Sequence, residues 1–290
     1  MRQRLFVRLD EDPIQGPESS VPAATLKAFA VSASLQPHIS QVLHYREAFS
    51  PEDGVVERVL PDGAVRLIVH LDAIAAPAAQ SRRDALVAVG PSAECALVPL
   101  RDAMDSLSIT IRPASTQALL GLPAGEIAGK AVSLADLWGR EGGDLRARLA
   151  AQPDVPARVT VLQTELARRL THSTSPADRT ATRALDTVVA GRGRLSVRDV
   201  AATMGVGERR LQQLFQTHIG LSPSAWRRLA RLHACLRMLR RQPRGAWADV
   251  AVDAGFYDQS HLINEVRELC GCTPTELRGQ AISGSSNTVA

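Results

Sequence analysis

Between Leu195 and Arg278 the apolar and small residues are spaced as one unit written twice. Val200, Ala201 and Gly205 recur 50 residues later as Val250, Ala251 and Gly255. Leu211, Phe215, Gly220, Ser222 and Pro223 recur 51 residues later as Leu262, Val266, Gly271, Thr273 and Pro274. Each copy has an apolar helix carrying a small residue, a Gly turn four residues on, and a second helix rich in polar side chains. That is the pattern of a helix-turn-helix, whose second helix lies in the DNA major groove. The alanines suit a close helix crossing, and the glycines suit a left-handed turn. Between the copies, Trp226, Leu229, Leu232, Leu236 and Leu239 mark the inner face of a helix over Ser222 to Arg241. Such a helix spans about 30 Å, near the ~34 Å of one DNA turn.

Local signals set the boundaries. Ser196 to Asp199 and Thr273 to Glu276 read as capping boxes, and Ser222-Pro223 pairs an N-cap with Pro at the first helical position. Ala181 to Ala190 reads as the first helix of this region, ended by Gly191 and Gly193. Upstream the period changes. QVLHYREAF, VVERVLP, AVRLIVHL, DALVAVG, ECALVPL and SLSITIRP are strand-like and closely spaced, and Pro61-Asp62-Gly63 is turn chemistry. A small barrel or sandwich is expected there. Short helices follow over Pro113 to Leu120 and Pro123 to Ala128. In the next helix Val155, Val159, Leu162, Leu166 and Leu170 form one stripe. That stripe fits packing on the strands or, as a coiled-coil seam, pairing of two copies. Residues 1–35 signal weakly, with Pro13, Gly16 and Pro17 breaking any early element, and read as partly flexible. The reading is therefore α+β. Residues 1–172 are expected to form a small β-barrel domain with trailing helices, 173–180 a linker, 181–279 an all-α domain with two helix-turn-helix motifs, and 280–290 a flexible tail.

Charge sharpens this division. From Asp178 onward there are 16 Arg against 10 Asp and Glu, whereas residues 1–177 hold 18 Lys and Arg against 20 acids. A basic C-terminal part beside a near-neutral N-terminal part points to a polyanion as partner of the former. The start lacks the apolar run of a signal peptide, and no apolar stretch is long enough to span a membrane. The four cysteines, Cys95, Cys235, Cys270 and Cys272, include no CxxC pair, so reduced thiols in a cytoplasm fit.

On the second helix of each copy the outward residues are hydrogen-bonding groups. The first copy offers Glu208, Arg209, Arg210, Gln212, Gln213 and Gln216. The second offers Asp258, Gln259, Ser260, His261, Asn264 and Arg267. Gln and Asn pair bidentately with adenine and Arg with guanine, which a merely solvated face does not require. Arg227, Arg228, Arg231, Arg240 and Arg241 lie along the connecting helix, some placed for phosphate contacts and others for structure.

The text LSVRDVAATMGVGERRLQQLF, GLSPSAWRRLARLHACLRML and DVAVDAGFYDQSHLINEVRELCGCTPTELR resembles the DNA-binding domain of AraC/XylS transcription regulators. By family position the base-contact candidates are Arg209, Gln212, Gln213, Gln259, Ser260, His261, Ile263 and Asn264. The phosphate-contact candidates are Ser196, Arg210, Gln216, Arg227, Arg228 and Arg267. Two positions depart from the family: Val266 stands where Phe is usual, and Asn264 where Arg is common. The first copy is therefore expected to be better anchored and to carry more of the sequence readout. RVLPDGAVRLIVHL, the Ile111–Pro113 triplet and ALLGLPAGEIAGKAVSLADLWG resemble the cupin-like sensor domain attached to a subset of that family.

The resemblance implies a cytoplasmic transcription regulator, by family habit an activator, that is not an enzyme. It binds double-stranded promoter DNA, engages RNA polymerase, and can form a homodimer through the N-terminal domain. An unknown small-molecule effector is possible, and no cofactor, metal or membrane is called for. The alternative is a constitutive DNA-binding regulator whose N-terminal domain only dimerises. A metal-binding cupin enzyme is the remote alternative. It would draw on His44, Glu47, His70 and Asp72, which lack a His-x-His pair. Fusion to a Cys-based DNA-repair domain is disfavoured, because Cys95 stands alone in the N-terminal half. Cys270-Gly271-Cys272 reads as structural thiols rather than a redox switch.

Overall fold

The computed structural model describes residues 2–6, 25–49, 55–75, 84–100, 103–170, 176–241 and 244–278. The expected flexible stretch around Pro13 to Pro17, linker residues 171–175 and the tail 280–290 lie outside them.

The strand-rich half forms two sheets. The larger has six strands in the order β2 (Leu26–Phe29), β3 (Ile39–Ala48), β8 (Ala103–Ile111), β5 (Val65–His70), β6 (Leu86–Val89), β9 (Ala131–Ser133), all antiparallel. The smaller joins β1 (Arg2–Phe6), β4 (Val55–Val59) and β7 (Ala96–Leu100), with β1 parallel to β4. In β5, Val65, Leu67 and Val69 alternate inward, as the period-two pattern requires. Their face meets five helices: α1 (Leu71–Ala75), α2 (Thr116–Leu120), α3 (Leu134–Trp138), α4 (Arg140–Ala150) and α5 (Val155–Arg169). The α5 stripe goes into this core, with Val159, Leu162 and Leu166 fully covered. It is thus spent on packing within the domain rather than on a seam between two copies. Behind it Glu165 is buried and receives hydrogen bonds from Arg148, Arg168 and Arg169.

The helical half comprises α6 (Pro176–Ala190), α7 (Val197–Thr203), α8 (Glu208–Leu214), α9 (Pro223–Arg241), α10 (Trp247–Ala254) and α11 (Gln259–Cys270). Helix α6 starts at Pro176, five residues before the expected Ala181, because Pro is tolerated in a first helical turn. Both expected capping boxes form: Ser196 and Asp199 open α7, and Thr273 and Glu276 open the turn at 274–278. Ser222 Oγ accepts the Ala225 N–H at the start of α9.

Helix α9 belongs to two cores. Trp226, Leu229 and Ala230 pack with α6, α7 and α8, while Leu232, Cys235, Leu236 and Leu239 pack with α10 and α11. The N-terminal domain closes on the same helix. Gly63, in the 61–63 turn at φ +70°, approaches Trp226 so closely that a Cβ would sit 2.6 Å from the indole. His233 Nε2 lies 3.1 Å from the Pro61 carbonyl oxygen. Leu5 and Leu60 join the core of α10 and α11.

The Glu165 cluster makes a test of the helical layer. Hydrogen bonds from Arg168, then Arg148, hold its carboxyl at about 2, against the burial that opposes ionisation. A carboxylate depressed in the folded state stabilises fully above its ordinary value and loses that contribution as pH falls toward the folded value. Glu165→Gln should therefore lower the melting temperature near neutral pH. The deficit should shrink between about pH 4.5 and pH 2, as wild type loses the same interaction. A deficit constant with pH would show that the charge does not matter.

Candidate nucleic-acid interface

In both copies the residues beneath the second helix are buried. Ala201 and Ala251 are 2% and 0% exposed at the helix crossings, and Gly205 and Gly255 take φ values of +66° and +93°. Under α8 lie Leu211, Leu214 and Phe215. The helix then passes into one π turn, Phe215–Ile219, and stops at Gly220. Under α11 lie Leu262, Val266, Leu269 and Cys270.

The second copy is as firmly anchored as the first, contrary to the expectation drawn from Val266. Val266 is 0% exposed, and its core includes Phe256, Leu269, Leu277 and, from the other domain, Leu5 and Leu60. Sequence within the motif could not disclose that last contribution. Asp258 caps α11 through the His261 N–H at 2.7 Å, whereas Gly207 gives α8 no side-chain cap. Charged groups add a clamp. Arg228 Nε donates to Glu265 at 3.0 Å, with a further contact to Glu268. Arg231 is buried and bridges the Gly193 carbonyl oxygen and Glu265. From the loop after α6, Arg194 donates to the carbonyl oxygens of Val252 and Asp253 at the end of α10. The two motifs are thus held to one helix and to each other.

Most candidate base readers remain exposed: Arg209, Gln212 and Gln213 on α8, and Gln259, Ser260 and Asn264 on α11. Ile263 is half-buried. His261 is also half-buried, and its Nδ1 accepts the Tyr257 N–H at 3.2 Å while its ring meets Phe256 edge-on at 5.5 Å. Its placement serves the start of α11 as much as any base. Tyr257, beside it, is 89% exposed.

The phosphate-contact candidates divide. Arg210 and Arg267 are exposed. Ser196 is engaged with Asp199 in its cap. Arg227 is half-buried and Arg228 is tied to α11. Gln216 keeps an exposed side chain at the seam with the N-terminal domain, where a Cβ on Gly125 would meet its carbonyl oxygen at 2.3 Å. Arg240 and Arg241 have no described side chains.

The residues weighed for a metal are engaged elsewhere. His44 Nε2 lies 2.7 Å from Asp105, His70 Nδ1 lies 3.2 Å from Ser106 Oγ, and Tyr45 bonds to Glu47. Asp72 sits in the first turn of α1. Among the described residues no three His, Cys, Asp or Glu side chains come together in a metal-holding group. No helix is long and apolar enough to cross a membrane. A cleft of 620 Å³ opens where the domains meet, between Ser40, Thr110 and Arg112 on one side and Arg183, Trp226 and Arg237 on the other.

If Glu265 clamps α11 as described, Glu265→Ala removes the acceptor of Arg228 and Arg231. Hydrogen bonds to charged groups contribute about 1.5–3 kcal/mol each, so the variant should lose about 3 kcal/mol in chemical denaturation. Hydrogen exchange should rise in α11 and not in α8. Equal protection of α11 in the variant would contradict the clamp.

Residues 200–280 match the model of a helix-turn-helix domain, and residues 27–133 match that of a domain of unknown function, DUF6597. The virulence regulon transcriptional activator VirF of Yersinia enterocolitica is 35% identical over 81 residues, 27% of this chain and 28% of that protein. The regulator ExsA of Pseudomonas aeruginosa is 31% identical over 80 residues, 28% of each. The chain thus spans under a third of the length of these curated relatives. A transcriptional regulator from Chromobacterium violaceum with an AraC-type DNA-binding domain is similar at 28% identity and TM-score 0.33, covering 36% of this chain and 94% of that one. ToxT from Vibrio cholerae is similar at 10% identity and TM-score 0.40, covering 83% and 98%. Through its C-terminal domain, with two helix-turn-helix units on one connecting helix, the chain is similar to these transcriptional regulators.

Proposed function

We propose that the protein is a sequence-specific DNA-binding regulator of transcription, acting as an activator that engages RNA polymerase at its promoter, in the cytoplasm. One observation carries this reading. Two second helices, both exposed and rich in amide and guanidinium groups, are fixed to a single 19-residue helix. At about 1.5 Å per residue that helix is about 28 Å long, which suits two successive major grooves on one face of DNA. Arg209, Gln212 and Gln213 would read one groove, and Gln259, Ser260 and Asn264 the next. Arg210 and Arg267 would meet phosphates. Arg228 is better assigned to holding α11, since its guanidinium is already paired.

The N-terminal domain would act as the sensor. The six-stranded sheet buries its inner face against helices, so an effector is more readily taken by the 620 Å³ cleft at the domain joint, within the ordinary size of ligand sites. Pairing of two copies would use a surface of this domain other than the buried α5 stripe.

Selection of bound sites from a random DNA pool should return a motif with two elements one helical turn apart. On that site Arg209→Ala and Gln212→Ala should each cost about 1–3 kcal/mol and relax specificity in one element only. Footprints equal to wild type for both variants would remove α8 from base reading. Affinity should fall steeply with salt, as it does whenever counterions are released. Thermal-shift screening of metabolites would separate a sensor from a constitutive binder, since a ligand of the native state raises stability by mass action. The expected hit loses its effect in Arg183→Ala, and a screen without hits favours the constitutive form.

A further inference from the structure

All four cysteines of the chain meet at one seam. Cys95 immediately precedes β7 in the N-terminal domain, Cys235 lies in α9, Cys270 ends α11, and Cys272 follows two residues later. All four pack in or against the core of the second helix-turn-helix. Arg58 of β4 donates Nη1 to the Cys270 carbonyl oxygen at 2.9 Å, and the same nitrogen lies 3.7 Å from Cys95 Sγ. A Cβ on Gly271 would fall 3.3 Å from Cys95 Sγ. The Cys95 sulfur therefore rests against the backbone between Cys270 and Cys272. The Cys270-Gly271-Cys272 triplet has a third thiol facing it from the other domain, which nothing in the local sequence announces.

The four thiols are not equivalent. Cys235 and Cys270 are 0% exposed, and burial pushes Cys235 up to about 12 and raises Cys270 as well. Thiols so held from ionising are poor nucleophiles. Cys95 and Cys272 are each half-buried. Burial raises the Cys272 thiol, and the positive charge of Arg58 opposes that rise. The accessible thiols are thus one from each domain, with the Arg58 guanidinium close to both.

We propose that Cys95 and Cys272 form a reversible disulfide that ties the N-terminal domain to the end of α11, with a hydroperoxide as oxidant. The Cys95 thiolate attacks the peroxide, the O–O bond breaks, and Cys95 becomes a sulfenic acid while the leaving oxygen takes a proton as alcohol. The Cys272 thiolate then attacks the Cys95 sulfur. The S–S bond forms, the S–O bond breaks, and the oxygen leaves as water. Two thiols lose two electrons and two protons, and one peroxide yields one alcohol and one water. A dithiol reductant reverses the bond by exchange. Because the tie ends two residues past α11, it fixes the end of the second motif against the N-terminal domain. Its effect on DNA rests on the function proposed above, whereas the bond itself does not.

The test uses the full chain, reduced and then exposed to tert-butyl hydroperoxide, with remaining thiols alkylated before non-reducing peptide mapping. The expected result is a Cys95–Cys272 cross-linked peptide that disappears on dithiothreitol treatment, with Cys235 and Cys270 alkylated only after unfolding. The melting temperature should rise on oxidation, with no rise in Cys95→Ser or Cys272→Ser. The dissociation constant for the selected DNA site should change at least threefold on oxidation of wild type and stay constant in Cys95→Ser. Four alkylatable thiols after peroxide, or a cross-link between any other pair, would overturn the assignment. A cross-link with unchanged DNA affinity would overturn the switch. If the reduced chain binds no DNA, the regulator reading fails while the mass of the cross-linked peptide still decides the disulfide. That peptide is read on wild type, so the outcome does not depend on a variant folding.

Discussion

The structure depends on the burial of α9 along its length. An amphipathic helix normally spends one face on a core and gives the other to water. From Leu229 to Leu236 every residue of α9 is buried, including Arg231 and His233. Its first half completes the core beneath α8, its second half completes the core beneath α11, and Trp226 and His233 receive the 61–63 turn. A rigid spacer between α8 and α11 needs that enclosure. A helix tethered only at its ends could bend, and the distance between the two motifs would then be free to vary.

Enclosure has a consequence for charge. Buried cations are costly unless hydrogen-bonded and paired, and breaking such a pair is worse than never forming it. Arg231 meets this condition through the Gly193 carbonyl oxygen and Glu265, and Arg228 reaches the same carboxylate. One glutamate on α11 is thus shared by two arginines on α9, and Glu268 supplies the second carboxylate to Arg228. The basic character of the C-terminal part divides between a scaffold, in which arginines are paired internally, and an exposed face carrying Arg209, Arg210 and Arg267.

That division marks where sequence reasoning stops. Periodicity disclosed α7, α8, α10 and α11, because each needs apolar residues on one face and a turn glycine at a fixed offset. It disclosed β5 through strict alternation and α9 through its leucines. It could not tell Arg228 from Arg210, since both are arginines on exposed-looking faces, and only the position of Glu265 separates them. It missed β1, five residues whose pairing with β4 is set by chain far away. It understated the second motif for the same reason. Val266 looks too small when judged within its own repeat, but its core is finished by Leu5 and Leu60. The cysteines followed suit: a local triplet looked inert until Cys95 was placed beside it.

The strand-rich domain meets each motif at the end of its second helix. Gly125 and Pro91 approach Gln216 and Gly220 after α8, while Arg58 and Cys95 approach Cys270 and Gly271 after α11. The ends of α8 and α11 are thus both braced from the same domain, whereas their exposed faces are left to solvent. Anything that changes how that domain sits has to move both motifs or strain α9 between them. Packed interfaces tend to have discrete arrangements rather than a continuum. A ligand or a covalent tie at the joint would then select among a few relative placements of α8 and α11. Under the function proposed above, signal and readout would be coupled by geometry at the helix ends, without any contact between the sensing group and the bases.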